Sequence, residues 1–245
     1  MNAREQRLAG RHAVITGGAK GIGRAIADAL ADRGARISVL SRTATQHPSA
    51  YASLDVDVTD EEGVTQAFAT LRERNGPIAI LVNNSGIAES APILRTSLQL
   101  WERTIATNLT GTFLCARAAL SDMLATNFGR IVNVASVAGL FGARYVAAYT
   151  ASKHGVIGLT RALAAEVAGS GITVNAVCPG YTESEMLQQA VTNVASKTGK
   201  TSAEARAQLA AMNPKGRIVK PREVAEAVIE ICEGEANGQE IILPR

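Results

Sequence analysis

Apolar residues along this chain arrive in two rhythms. Short, almost unbroken apolar runs recur at residues 12–16, 36–40, 52–56, 79–82, 130–134, 172–177 and 239–243, and these predict strands. Amphipathic stretches separate them and predict helices over residues 21–33, 60–74, 97–107, 110–126, 149–168 and 221–233. Punctuation agrees with the rhythm. Gly34 closes the first helix, Asp60 or Thr59 caps the second, and Pro221 sits in the first turn of the last.

Strands this short and this apolar, separated by helices, are buried on both faces, as in a parallel sheet. The pattern predicts an α/β fold: a single-domain, Rossmann-like, doubly wound parallel sheet of about seven strands with helices on both faces. Residues 1–245 show no linker, repeat or low-complexity tract, so one domain is expected. The irregular stretch is 181–216, which is polar and carries Lys197, Lys200 and Arg206. An insertion of this kind after a strand end reads as a substrate lid.

Composition narrows the function classes. The net charge is +3 and no dense Lys/Arg run appears, so no nucleic-acid partner is expected. Cys115, Cys178 and Cys232 are odd in number and far apart, which reads as buried thiols rather than a disulfide framework. His12, His47 and His154 lack metal-ligand spacing, so no metal is expected. The polar start, Met1-Asn2-Ala3-Arg4-Glu5-Gln6-Arg7, lacks the apolar core of a signal peptide, and no apolar run suggests a membrane span. A cytoplasmic setting is the expectation.

Two constellations carry chemistry. Thr16-Gly17-Gly18-Ala19-Lys20-Gly21-Ile22-Gly23 joins the first strand to the first helix. Glycines there admit a sharp turn and close approach of a ligand, and the helix N-terminus offers free N–H groups to a pyrophosphate. The second strand then ends in Ser41-Arg42, where an Asp or Glu would bind the ribose of NAD. Arg42 and Lys20 put positive charge there instead, which suits the 2′-phosphate of NADP(H), with NAD(H) as the alternative. Further on, Tyr149 and Lys153 are four apart on a predicted helix and share a face. An ammonium beside a phenol is expected to lower the phenol's pKa, fitting it to exchange a proton with a carbinol oxygen.

With both constellations in one order, the chain resembles the short-chain dehydrogenase/reductase family nearly end to end. The match includes the glycine loop, Asp57-Val58, Asn83-Asn84-Ser85-Gly86, Asn108, Ser136, Tyr149 with Lys153, and Pro179-Gly180 with Thr182. The resemblance implies catalytic roles. Tyr149 is the acid in ketone reduction and the base in alcohol oxidation. Lys153 lowers its pKa and holds the nicotinamide ribose. Ser136 orients the substrate oxygen, and Asn108 fixes a water for proton relay. It also implies cofactor contacts. Gly17, Lys20, Gly21, Ile22 and Gly23 lie at the pyrophosphate, and Ser41 and Arg42 at the adenosine ribose. Asp57 and the Val58 backbone meet the adenine, Asn84, Ser85 and Gly86 the adenosine ribose side, and Pro179, Gly180 and Thr182 the nicotinamide.

Three departures mark this chain. Ser85 stands where the family usually has Ala, Ser41-Arg42 where NAD enzymes have Asp, and the chain ends at Leu243-Pro244-Arg245 where many relatives continue with Asp-Gly-Gly. Within the family the look is to 3-oxoacyl-thioester reductases and 3-hydroxyacyl-CoA dehydrogenases. Of two Arg expected in reductases acting on acyl carrier protein, Arg130 is present and the other position is Ser170, which tilts the reading toward a CoA ester or a small free ketone. Lys197, Lys200 and Arg206 are candidates to meet CoA phosphates, or simply a solvated lid. The loop 137–144 and the lid, with Val137, Leu140, Phe141, Tyr145, Met186 and Leu187, suggest an apolar pocket that would also admit a sugar, steroid or aryl ketone. A non-catalytic nucleotide-binding regulator is the rival class, opposed by the intact Asn108, Ser136, Tyr149 and Lys153. Relatives commonly form homotetramers, or dimers, through the helices 110–126 and 149–168, where Ala116, Ala118, Ala119, Ala162, Ala164 and Ala165 either permit close helix packing or face the sheet.

Overall fold

The structure, a computed structural model, describes residues 8–47 and 50–244. The polar start 1–7 and Arg245 lie outside them, so neither the leader reading nor the last residue is addressed by it. Seven parallel strands form one sheet in the order β3-β2-β1-β4-β5-β6-β7. They are β1 His12–Thr16, β2 Arg36–Ser41, β3 Ala52–Asp55, β4 Ile78–Asn83, β5 Gly129–Val134, β6 Ile172–Pro179 and β7 Glu240–Leu243. Central β1, β4, β5 and β6 are buried along their whole length, which is why the sequence shows them as unbroken apolar runs.

One face of the sheet is covered by α1 (Gly21–Ala31) and α8 (Pro221–Glu233), through Ile26, Leu30, Val224 and Val228. The other face is covered by α2 (Glu61–Asn75), α4 (Gly111–Thr126) and α5 (Ala147–Glu166), through Phe68, Leu71, Leu114, Met123 and Ala164. No helix among the described residues is long and apolar enough to cross a membrane. The six tested alanines divide between the two readings. Ala116, Ala119 and Ala164 are buried, Ala118 is half-buried, and Ala162 and Ala165 are exposed.

Where the structure departs from the expected elements, the reasons are local. The helices predicted at 97–107 and 110–126 form one rod: α3 (Leu98–Ile105) passes through a π-helical turn, Ala106–Thr110, into α4. Strand β6 runs two residues further than expected, to Pro179, which pairs with Leu243 at the strand's end. The stretch 181–216 is not irregular. It contains α6 (Glu185–Thr198) and α7 (Ser202–Ala211). These helices bury only Leu187, Ala205 and Leu209, so they show too little apolar periodicity to be read as helices. Their caps were readable. Ser184 accepts from the Leu187 N–H, and Thr201 with Glu204 forms a capping box. Leu187 is thereby buried within the segment 181–216, not an exposed pocket lining, whereas Phe141, Tyr145 and Met186 are exposed.

The order of strands reverses between β1 and β4. Successive connections leave to opposite sides there, opening a crevice at the carboxyl edge of the sheet. The segments after β1, β2, β3, β4, β5 and β6 all emerge at that edge, and the residues singled out above for catalysis and cofactor binding lie on it or on the helices flanking it, whereas Arg130 and Ser170 lie at the opposite edge.

Candidate active site

The glycine loop leaves β1 and turns into α1. Gly17 has φ +63, and a Cβ there would stand 2.9 Å from Asn84 Nδ2. A Cβ on Gly23 would fall 2.3 Å from the carbonyl oxygen of Gly17, so only glycine lets the loop fold over the first turn of the helix. Lys20 occupies the N-cap position without a capping side chain, and the first turn holds no acidic residue. The N–H groups at this helix end therefore meet no anion of the protein's own, and Gly21 and Ile22 present them to the crevice. These features fit a dinucleotide pyrophosphate.

Asn84, expected at the ribose, spends its side chain on the loop. Its Nδ2 donates to the carbonyls of Thr16 (3.0 Å) and Gly17 (3.1 Å). Thr16 Oγ1 accepts from the N–H of both Asn84 and Ser85. Thr16 was missed in the sequence, although its hydroxyl is what ties the β1 loop to the β4 loop across the crevice. Ser41 ends β2 and Arg42 follows it, exposed and with no ion-pair partner among the described residues. Lys20 is paired with Glu185 of α6 at 2.6 Å, a link between the glycine loop and the segment 181–216 that the sequence did not suggest. Asp57 accepts from the N–H and hydroxyl of Thr59, while Val58 is buried against Gly111.

On the other bank, Ser136 follows β5 and Tyr149 and Lys153 lie in the first two turns of α5. Ser136 Oγ accepts from the Ala138 N–H at 3.1 Å and donates to the Pro179 carbonyl at 3.4 Å, and the hydroxyl lies close enough to Tyr149 to act on its pKa. Lys153 is buried, and its Nζ donates to the Val134 carbonyl at 2.8 Å, 5.8 Å from the centre of the Tyr149 ring. Burial dominates both groups. It raises the Tyr149 pKa, opposed by the nearby Ser136 hydroxyl, and brings Lys153 down to about 8. This corrects the expectation that Lys153 lowers the Tyr149 pKa. The ammonium is directed to Val134 and has itself lost hydration, so the phenol is held in its neutral, proton-bearing form.

Asn108 sits in the π-turn, fully buried. Its Oδ1 accepts from the Ile87 N–H at 2.8 Å, and its Nδ2 donates to Ile87 O and Ser152 Oγ, both at 2.9 Å. Both amide hydrogens are spent, leaving one acceptor position on Oδ1 for any relay water. The carboxamide thus fastens the β4 loop to α5. A Cβ on Gly86 would lie 3.3 Å from Asn108 Oδ1 and 3.7 Å from Lys153 Nζ, so the three converge. Pro179 ends β6, Gly180 follows, and the buried Thr182 donates to Gly180 O at 3.0 Å.

Two residues expected to contact substrate are otherwise engaged. Arg130 is buried, donates to the carbonyls of Gly129, Gly171 and Cys232, and stacks on Phe128. It cannot be a surface contact for a carrier protein. Arg206 is held by both oxygens of Glu183, which leaves Lys197 and Lys200 as the exposed cations of that trio.

The sequence matches the family described as short chain dehydrogenase over residues 11–195. It is 37% identical to the 3-oxoacyl-acyl-carrier-protein reductase FabG of Vibrio cholerae, covering 94% of this chain and 92% of that protein. It is 38% identical to the 2-(S)-hydroxypropyl-CoM dehydrogenase 3 of Xanthobacter autotrophicus, with the same coverage. Its structure is similar to that of an actinorhodin polyketide ketoreductase with NADPH, at a TM-score of 0.88 and 33% identity, covering 99% of this chain and 97% of that one.

Proposed function

This chain belongs to the short chain dehydrogenase family, and from that premise we propose that it is an NADP(H)-dependent oxidoreductase interconverting a ketone and a secondary alcohol. One observation carries the reading. A Tyr149 phenol whose pKa burial raises, close to the Ser136 hydroxyl and backed by buried Lys153, stands on the same sheet edge as a glycine loop opening onto an uncapped helix N-terminus. The hydride is the cofactor's contribution when it is bound. In reduction, the phenol gives its proton to the carbonyl oxygen as charge develops there, and the Ser136 hydroxyl donates a second hydrogen bond to that oxygen. In oxidation the proton returns along the same path. Lys153 and Asn108 hold the phenol's surroundings in place. Gly17, Gly21, Ile22 and Gly23 hold the pyrophosphate; Lys20, Ser41 and Arg42 hold the 2′-phosphate side; Asp57, Val58, Asn84, Ser85 and Gly86 line the adenosine; and Pro179, Gly180 and Thr182 meet the nicotinamide.

The substrate class we propose is a 3-oxoacyl or 3-hydroxyacyl thioester. A relative named as a 3-oxoacyl-acyl-carrier-protein reductase supports it. With Arg130 buried and Ser170 uncharged, a CoA ester fits better than a carrier protein. The exposed Phe141, Tyr145 and Met186 favour an apolar acyl or aryl group, with residues 181–216 as the lid over it. A homotetramer through the outer faces of α4 and α5, where Phe113, Leu124, Ala162 and Ala165 are exposed, and a cytoplasmic setting suited to three unpaired buried thiols, complete the reading.

The test is parallel turnover of NADPH and NADH with acetoacetyl-CoA, longer 3-oxoacyl thioesters on CoA and on acyl carrier protein, and aryl ketones. NADPH with a CoA thioester should give the highest kcat/KM. NADH clearly ahead of NADPH would remove the Arg42 argument. Tyr149→Phe should lose about 10²–10⁴ in kcat with NADPH affinity retained, as for removal of a general acid. Full turnover by that variant would sink the mechanism.

A further inference from the structure

Asn213 follows α7 and is buried, although the lid helix before it is largely exposed. Its carboxamide grips the main chain of Tyr181 from both sides. Oδ1 accepts from the Tyr181 N–H at 2.6 Å, and Nδ2 donates to the Tyr181 carbonyl at 2.8 Å. The second amide hydrogen goes to Arg217 O at 2.7 Å. A side chain thus presents the donor and acceptor of a neighbouring strand. Real strand pairing continues beside it. Val219 N donates to Tyr181 O at 3.0 Å, and Glu183 N donates to Val219 O at 2.9 Å.

Gly180 completes the geometry. A Cβ built there would stand 2.3 Å from Asn213 Oδ1 and 2.7 Å from its Cγ. Gly180 does not have a positive φ, so the backbone conformation alone does not call for glycine. What calls for it is the Asn213 carboxamide, which occupies the space a side chain would fill. Beside the main-chain pairs with Val219, the segment's side-chain ties Glu183–Arg206 and Lys20–Glu185 are exposed ion pairs of the kind that contribute at most about 1 kcal/mol. Asn213 is the buried side chain among these ties, and losing it would leave the Tyr181 N–H and the Arg217 carbonyl short of a partner.

We infer that Asn213 is the positioning residue for the nicotinamide end of the cofactor, acting through the main chain of Gly180 and Tyr181. This rests on the NADP(H)-dependent reading, in which Gly180 to Thr182 meet the nicotinamide. Asn213 touches neither cofactor nor substrate. It sets where the turn after β6 stands relative to Tyr149 and Ser136, and displacement of that turn misplaces the hydride-bearing ring against the phenol.

The experiment compares the wild type with Asn213→Ala, Asn213→Asp, Gly180→Ala and the double variant Gly180→Ala/Asn213→Ala. Three quantities are read: kcat for ketone reduction, the fluorescence gain of bound NADPH as a probe of the nicotinamide, and the Kd of adenosine 2′,5′-bisphosphate as a probe of the adenosine half alone. Asn213→Ala and Gly180→Ala should each lower kcat about ten-fold or more and reduce the NADPH gain, the size expected for a misplaced reacting group. The bisphosphate Kd should stay within about two-fold of wild type, as for binding that does not involve the moved turn. The double variant should be no worse than the worse single variant, because both act on one contact. Asn213→Asp should recover toward wild-type kcat as pH falls, since a protonated carboxyl regains one donor.

A folded Asn213→Ala with normal kcat and normal NADPH gain overturns the inference. So does a parallel loss of bisphosphate affinity, which would mean general damage to the fold. Should Asn213→Ala not fold, Gly180→Ala decides, and normal turnover there overturns it. Failure of the wild type to bind either NADPH or NADH is a separate outcome that removes the functional reading and this inference with it.

Discussion

Lys153 keeps its ammonium on the Val134 carbonyl in a place that water scarcely reaches. Its pKa falls from 10.5 to about 8, with burial as the first cause. The sign of the consequence follows by linkage. Between about pH 8 and 10.5 the unfolded chain holds the proton that the folded one has released, so stability rises with pH across that window. Below it, the buried charge is a standing cost on the order of 3 kcal/mol. Urea unfolding of the cofactor-free protein should therefore show Lys153→Met more stable than wild type at pH 7.5, with the gap closing by pH 10. A gap that widens with pH would mean that the ammonium is better stabilised inside than in water. Tyr149 follows the same physics from the acid side, with its pKa raised by burial. The Tyr-x-x-x-Lys spacing revealed both partners at once. It could not reveal which influence wins, because desolvation depends on everything packed around the pair, including Ser136 from a strand end and Gly139 against the Lys153 main chain.

Elements impose their own requirements. The turn from β1 into α1 works only because Gly23 has no side chain beneath the Gly17 carbonyl. Gly23→Ala would push a methyl to 2.3 Å from that oxygen and 2.6 Å from Asn84 Nδ2, against groups that cannot swing away. NADPH binding, measured by fluorescence titration, should weaken more than about 100-fold, with far-UV circular dichroism retained, since the misfit is confined to a close-approach turn. Unchanged affinity would show that the loop does not carry the pyrophosphate. This element was legible because glycines in a strand–turn–helix context have a local cause. The helices α6 and α7 were not read as helices. They bury three side chains between them, and their caps at Ser184 and Thr201 are short signals inside a polar stretch. The π-turn at Asn108 was equally hidden, since its backbone register is fixed by the grip of the carboxamide on Ile87 and Ser152.

Across the whole molecule, polar networks are buried at both ends of the sheet. At the end opposite the site, His12 Nδ1 bonds the Gly76 carbonyl and its Nε2 bonds Ser38 Oγ, both at 2.8 Å. Its pKa is lowered below 6.5, first by burial. As pH falls below 6.5 the unfolded chain takes up a proton that the folded chain resists, so stability present at neutral pH is lost on acidification. Chemical unfolding from pH 7.5 to 5.0 should show a falling stability in wild type and a shallower fall in His12→Gln; parallel slopes would remove His12 as a cause. The sequence by itself determined the alternation of strand and helix, the parallel sheet, the glycine loop and the Tyr149–Lys153 spacing, because each has a signature in local periodicity or spacing, while Ser136 is implied only by the family resemblance. Only the tertiary structure decided that Arg130 is a buried scaffold residue, that Asn84 braces the glycine loop, that Lys20 reaches to Glu185, and that Asn213 holds Tyr181. These are contacts between residues 32 to 165 positions apart in sequence, or the burial of a charge, and no local pattern encodes either. They come into being when the sheet brings distant strand ends to one edge.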